Sequence, residues 1–400
     1  MIKIESPCGI KGVFKESVKK DPPDFFNEEE AKKSHRFHRT IKGYSPTPLI
    51  ELDALALKLG VRKIFVKDES HRFGLNAFKA LGATYAIAKL LCRELECHIN
   101  HVDFDYFMRP EIAKRIKSSV FVTATDGNHG RAVAWAANRL GCRSIVYLPK
   151  GSSKKRLHDI QNEGAEASIT DVNYDDSVRL AYEKAKAIGG FMVQDTAWEG
   201  YEDIPKWISQ GYTTLAVEIF EQFKTGKMKK PTHLFLQAGV GSFAGGILGY
   251  FSNVFKEDPP KTAIIEPEEA NCIYKSVLIN DQHPHAVKGD LNTIMAGLAC
   301  GEPNTITWET LRDFSSAYFS CSDDVAKEGM KILAKPEGDD PKIVSGESGA
   351  VGVGLLSLLM QRDDLSKMKE KFSLDENSIV LLISTEGDTD PEHYRKVISE

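Results

Sequence analysis

No run of apolar residues in this chain approaches the roughly 20 needed to cross a bilayer, so no membrane-spanning helix is expected. The first residues, Met1 to Cys8, lack the apolar core of a signal peptide, and a cytoplasmic location is the expectation. An excess of either charge is also missing. A net charge of −5 over 400 residues leaves no basic field for nucleic acid or an anionic membrane, and neither is an expected partner. Cysteine offers little: there are seven, scattered, with no CxxC pair and no cysteine-histidine cluster at zinc spacing, so neither a disulfide framework nor a metal site is expected. Cys272 and Cys300 lie in loop-rich stretches that could bring them together, and free thiols are the expectation in a reducing compartment. No internal repeat or low-complexity segment is present, which excludes a solenoid or a disordered tether.

What is present is enough chain, at 42% hydrophobic and 27% charged residues, for two domains with sizeable cores. Residues 1–40 are polar and read as a wrap over the surface or over a partner subunit, with Asn27 capping a helix start. A strand at 63–67 leads to Asn76, read as the cap of a long apolar helix. Residues 93–117 are more polar and aperiodic, and look like an insertion. Strands at 119–123, 144–148, 167–170 and 191–194 then alternate with helices at 130–140, 153–163 and 175–187. A helix at 205–224, strands at 233–237 and 262–266, helices at 324–333 and 349–360 and a very apolar strand at 378–384 follow. Unalternated β-rich strands separated by helices predict an α/β fold with mostly parallel sheets covered on both faces. The expected division is a smaller domain at 85–203 and a larger one from 1–84 and 204–400, with the active site between them.

One lysine sits where a lysine is unusual. Between Phe73 and Cys92 the only charged residues are Lys79 and Lys89, and the helical neighbours of Lys79 at three and four residues are Leu75, Asn76, Gly82 and Ala83. Kept from water by such a face, the ammonium form is disfavoured and the neutral amine becomes a nucleophile able to form a Schiff base with a carbonyl. Taken alone, the stretch reads more readily as a lysine snorkelling from a half-buried helix.

Other stretches can carry chemistry. Thr125-Asp126-Gly127-Asn128-His129-Gly130 joins a strand to a helix, whose free amides suit a substrate carboxylate. Ala238-Gly-Val-Gly-Ser-Phe-Ala-Gly-Gly246 is a second such turn and suits a phosphate. It also carries a rival reading, because Gly239, Gly241 and Ala244 satisfy the dinucleotide fingerprint and Glu266 ends the next strand where a ribose-binding acid belongs. An NAD-dependent oxidoreductase would, however, place that fingerprint near the start of the fold and leave Lys79 unexplained. Asp195, beside Trp198, follows a strand end where open α/β sheets bind ligands, and Ser384 to Asp390 is polar and acid-rich at the same end of the last strand. Ser345-Gly-Glu-Ser-Gly-Ala350 is a further turn into a helix, with no separate task assigned.

A lysine after Asn-Ala-Phe, a Gly-Asn-His loop, a glycine-rich turn and a serine after the last strand, in that order, resemble the fold type II pyridoxal phosphate enzymes, the group of threonine dehydratase and the tryptophan synthase β subunit. The runs KDESHRFGLNAFK, TDGNHGRAVAWAA, VQDTAWEGY, LQAGVGSFAGG, IMAGLACGEPN, SGESGAVG and ISTEGDTD are similar to its diaminopropionate ammonia-lyase branch, from about residue 35 to the C-terminus. The resemblance implies that Lys79 holds pyridoxal 5'-phosphate as a Schiff base. It implies that amides of Gly239, Val240, Gly241, Ser242 and Phe243 hold the phosphate, that Asn128 bonds the phenolic oxygen and that Ser384 faces the pyridine nitrogen. Thr125, Asp126, Gly127, His129 and Asp195 would meet the substrate. The wider group has a small residue or serine where Asp126 stands, and with Asp195 this gives two acids near a β-amino group that must leave as ammonia. Two carboxylates close together would raise the pKa of one of them. The implied reaction is α,β-elimination of 2,3-diaminopropionate, in both enantiomers, to pyruvate and two ammonia. Lys79 is the implied base on one face and Asp126 on the other, and a homodimer is also implied. A serine or threonine dehydratase is the nearest alternative.

Overall fold

The unalternated apolar runs are strands that feed two cores at once. In the computed structural model, which describes residues 1–16, 20–125 and 127–400, β4 (Lys63–Asp68), β9 (His233–Gln237) and β12 (Ile379–Ser384) are neighbours in one sheet. Phe65, Leu234, Leu236, Leu381 and Ile383 enter the core on one face. The alternate residues Ile64, Val66, Phe235, Val380 and Leu382 enter the core on the other. Side chains alternate across a strand, so a strand covered on both faces has to be apolar at every position.

The remaining strands are β1 (Ile2–Ser6), β2 (Ile10–Phe14), β3 (Leu49–Glu51), β5 (Val120–Ala124), β6 (Arg143–Leu148), β7 (Glu166–Ile169), β8 (Phe191–Met192), β10 (Lys261–Pro267) and β11 (Ala317–Cys321). They complete an eight-stranded sheet in the order β1-β2-β11-β10-β9-β12-β4-β3 and a four-stranded sheet in the order β7-β6-β5-β8. The interior of the larger sheet, from β11 to β4, is parallel, and β1, β2 and β3 are antiparallel edges. The smaller sheet is parallel throughout. Helices lie on the faces, as the predicted α/β architecture requires, and among the described residues none is long and apolar enough to cross a membrane.

Two helices set the position of the site. Ala80–Glu94 is buried along nearly its whole length, and it crosses Asp203–Thr225 where two glycines meet. A Cβ on Gly82 would lie 2.5 Å from Tyr212 Cε1, and one on Gly211 would lie 2.5 Å from the Leu81 carbonyl oxygen. Any side chain there would push the helix off its partner, and with it the residue just before its first turn, Lys79.

Four expectations change. Residues 2–14 are a β-hairpin that extends the larger sheet, with β2 paired to β11; the edge strand β1 is largely exposed and so carries no apolar pattern. The stretch 93–117 is part of the core, since Ile99, Val102, Phe104, Phe107, Ile112 and Ile116 are buried and two short helices, Phe104–Met108 and Pro110–Ile116, carry four of them. Asn76 caps no helix; it has a left-handed backbone (φ 60°) and the helix begins at Ala80. A division between residues 84 and 85 passes through that helix, although all four strands of the smaller sheet do lie within 85–203.

Candidate active site

The carboxyl ends of β4, β9 and β12 in one sheet, and of β5 and β8 in the other, open toward a common cavity. Its walls include Lys79, Asn128, His129, Asp195, the turn Gly239 to Phe243, Thr385 and Glu386. Register accounts for the approach of the first two loops. Ser384 pairs with Asp68, so the chain leaves β12 and β4 side by side, and the two exits are then stitched together. Phe78 N donates to Thr385 O (3.1 Å), Gly387 N donates to Asn76 O (3.0 Å), and Asn76 Nδ2 donates to Asp388 Oδ1 (3.2 Å). Phe78 packs on Phe243 and Tyr212, with ring centroids 4.5 and 4.7 Å away. Lys79 is therefore presented by a pinned loop at the head of its helix.

The Lys79 amine is mostly covered and donates to Asp195 Oδ2 at 2.8 Å. Burial would raise the Asp195 carboxyl, but Lys79, then His129, outweigh it and hold the group down at about 2, ionised at neutral pH. The expectation that one of the two acids is raised does not hold for Asp195, and Asp126 lies outside the described residues. Asp195 is fixed through its backbone: its carbonyl accepts from Ser242 Oγ (2.5 Å) and from Asn304 Nδ2 (2.9 Å). His129 is buried, with Nε2 against Val193 O at 2.8 Å.

Opposite Lys79, the Ser242–Val254 helix starts at Gly241, whose backbone is left-handed (φ 97°) and where a Cβ would lie 2.7 Å from Leu311 Cδ1. Glycine is required there on both counts. It has no side chain with which to cap the helix, so the first amides are left for a ligand, and an anion is the favoured one. Gly239, where a Cβ would lie 3.2 Å from Cys300 Sγ, forms the adjoining wall. An amine able to form a Schiff base and an uncapped helix end face one cavity, a donor set that fits a phosphorylated aldehyde.

The other predicted residues divide. Asn128 lines the cavity and its amide donates to Glu386 Oε2 (2.5 Å). Thr125 supports the loop from below, its Oγ1 accepting from Gly127 N (2.8 Å) and Gly130 N (3.0 Å), and is absent from the cavity wall. Ser384 is also absent from the wall: it is buried and donates to Ser345 Oγ (2.8 Å). At the exit of β12 the hydroxyl residue in the cavity wall is the next one, Thr385, which accepts from Gln237 Nε2 (3.1 Å). Glu386, Tyr174, Gln237, Ser348 and Asn304 were not singled out from sequence. Gln237, Asn304, Ser348 and Glu386 stand in the motif runs, so proximity in a motif is their available signal, while Tyr174 has none.

The dinucleotide reading fails at Glu266. That carboxylate is fully buried, its oxygens accept from the amides of Ile273 (2.9 Å) and Tyr274 (2.6 Å) at the start of Cys272–Ile279, and it does not line the cavity. Cys272 and Cys300 are not joined by a disulfide.

The chain belongs to the family of pyridoxal-phosphate dependent enzymes, which matches residues 41–384, and the two sheets with the lysine cavity between their strand ends are the fold type II form of it. Among characterised relatives, the diaminopropionate ammonia-lyase of Salmonella typhimurium strain LT2 is 53% identical over 363 residues, 90% of each chain. The crystal structure of the Escherichia coli diaminopropionate ammonia-lyase in complex with an aminoacrylate-PLP azomethine reaction intermediate superposes with a TM-score of 0.89 at 48% identity, covering 97% of this chain and 96% of that one. The same enzyme in complex with D-serine gives a TM-score of 0.89 at 46% identity and the same coverage.

Proposed function

We propose that this enzyme eliminates the β-amino group of 2,3-diaminopropionate, in both enantiomers, as ammonia, and that water hydrolyses the released aminoacrylate to pyruvate and a second ammonia. The observation that carries this reading is the Lys79–Asp195 pair facing the uncapped amides of Ser242–Val254 in one cavity. Pyridoxal phosphate, when bound, supplies an electron sink that acidifies the Cα proton of an amino acid. Lys79 Nζ anchors it, and the amides from Gly239 to Phe243 take its phosphate. Asn128 and Thr385 are the side chains offered to its ring.

Displaced by substrate, Lys79 Nζ takes the Cα proton on its own face. Asp126 serves the opposite face, which gives both enantiomers a base; the D-serine complex of the Escherichia coli enzyme supports a site open to D-amino acids. Asp195, ionised and within hydrogen-bond reach of Lys79, orients that amine and holds the substrate's β-ammonium. A serine dehydratase has no second ammonium to hold, so an acid so placed favours the diamino acid. We also propose, on the family resemblance, a homodimer working in the cytoplasm on amino-acid breakdown; a monomer mass by sedimentation would overturn the first part.

The test is the visible spectrum of the purified protein beside Lys79→Ala. A yellow band in the parent that is lost in the variant, with pyruvate formed from 2,3-diaminopropionate by the parent alone, is the expected result. No band after incubation with pyridoxal phosphate, or more pyruvate from serine than from the diamino acid, would overturn the reading. Asp126→Asn should slow one enantiomer at least tenfold more than the other; equal loss removes the two-base assignment.

A further inference from the structure

Beside the catalytic cavity, and sharing Tyr174 and Val240 with it, lies a second cavity of about 350 Å³. Its wall includes the first turns of Tyr174–Ile188 and the segment just after Asp195. The elimination chemistry makes no use of it.

Two side chains in this wall lack what they would normally have. Thr196, next to Asp195, is 6% exposed, and its hydroxyl has no hydrogen-bond partner among the described residues. A buried hydroxyl left unpaired is destabilising, and the exceptions in native proteins call for an explanation such as a missing ligand or water. Asp175 has no cation within salt-bridge distance among the described residues. The nearby guanidinium of Arg179 is instead held by Asp176 Oδ1 (2.7 Å) and Glu302 Oε1 (3.3 Å). Burial and the Glu302 charge push the Asp175 carboxyl up to about 6, while Arg179 pulls it the other way. A cation entering beside Asp175 would relieve that strain, and Trp198 and Val178 supply apolar walls for a short carbon chain.

We propose that this cavity is a second binding site for a small amino acid carrying an additional ammonium group, the diamino acid substrate itself, held by the Asp175 carboxylate and the Thr196 hydroxyl before it enters the catalytic cavity past Tyr174. The inference rests on the reading given under Proposed function and deepens it. Selection for the second ammonium starts outside the catalytic centre, and serine, which has only one, is held less well.

The test separates this site from the catalytic one by reducing the holoenzyme with borohydride, which fixes the cofactor on Lys79 and prevents exchange with substrate. Calorimetric titration of the reduced parent should then show 2,3-diaminopropionate binding at least tenfold more tightly than serine. Asp175→Asn should weaken that binding at least tenfold, and Thr196→Val, which keeps the side-chain shape, at least threefold. In the unreduced enzymes the same variants should raise KM for the diamino acid far more than KM for serine. Variants that bind the diamino acid as the reduced parent does, or a parent that binds serine equally well, would overturn the inference. A parent that forms no pyruvate from 2,3-diaminopropionate would instead overturn the proposed function, so the two failures are distinguishable.

Discussion

Asp195 is where a single charge does most for the site. Its carboxylate is buried, ionised and bonded to Lys79, and its backbone is locked by Ser242 and Asn304. Asp195→Asn keeps the shape and removes the charge, so pyruvate formation should fall by a factor of about 10² to 10³, the scale of losing one preorganised electrostatic partner, while the yellow band survives. An unchanged rate would show that the charge is not used. At this scale the sequence was legible wherever composition alone decides. A lysine among apolar residues and an acid at a strand end were both found. Parity was not legible: side chains alternate along a strand, so whether Ser384 or Thr385 faces the cavity depends on the register of β12, and the structure chooses Thr385. Nor was the loop before Lys79, where Phe73, Gly74 and Asn76 all have positive φ (51°, 74° and 60°); only the glycine and the asparagine hint at that, and an asparagine ahead of an apolar helix fits a cap as well.

Long apolar helices and buried strands were legible as elements because burial on all sides needs no phase, and β9 was placed to the residue. The N-terminal hairpin was hidden because an exposed edge strand has no pattern to detect; the turn signal at Pro7, Cys8 and Gly9 (φ 77°) was the available clue. Between elements, contacts through polar groups carry no sequence pattern, and one of them predicts a pH response. His38 ends Glu28–His38 and joins it to two other helices, with Nδ1 2.7 Å from Thr214 Oγ1 and Nε2 2.9 Å from Leu81 O. A carbonyl only accepts, so Nε2 carries the proton and Nδ1 accepts from the threonine hydroxyl. Burial, with Arg72 nearby, pushes the imidazole down to about 3. The native ring therefore stays neutral at pH values where the unfolded chain protonates it. The stability it contributes is complete above about pH 6.5 and is lost as pH falls toward 3, reaching about 3 kcal/mol by pH 4. Melting curves between pH 7 and pH 4 should fall less steeply for His38→Gln than for the parent; parallel curves would exclude His38 as a source of the slope. His233, also buried and lowered to about 4, adds to the parent's slope in the same direction and remains in the variant.

Across the whole molecule, the loop that presents Lys79 rests on a buried set of charges that no sequence pattern announces. Lys67 of β4, Glu69 and Arg72 of the loop, and Glu218 of Asp203–Thr225 are each no more than 1% exposed, two positive and two negative. Glu218 accepts from Lys67 Nζ (2.7 Å) and from both terminal nitrogens of Arg72 (2.8 Å each), and Arg72 also holds Glu69. Thr47 and Tyr44, far earlier in the chain, bond the same carboxylate. Burial would raise the Glu218 carboxyl, yet Arg72 and Lys67 hold it down at about 2. Replacing ions of balanced charge with apolar groups is often neutral, whereas removing one partner leaves a buried charge uncompensated and costs about 3 to 5 kcal/mol. Glu218→Gln should therefore lower the melting temperature by several degrees and loosen the Lys79 loop, raising the concentration of pyridoxal phosphate needed to saturate the protein. Lys67→Met on its own unbalances the set in the other direction. Combined with Glu218→Gln it restores balance and leaves the Arg72–Glu69 pair intact, so the double variant should be more stable than the sum of the two single losses allows, by about 1 to 3 kcal/mol. Strict additivity in the melting data would show that these side chains act separately and that the loop is held by its hydrogen bonds to residues 385–388 alone.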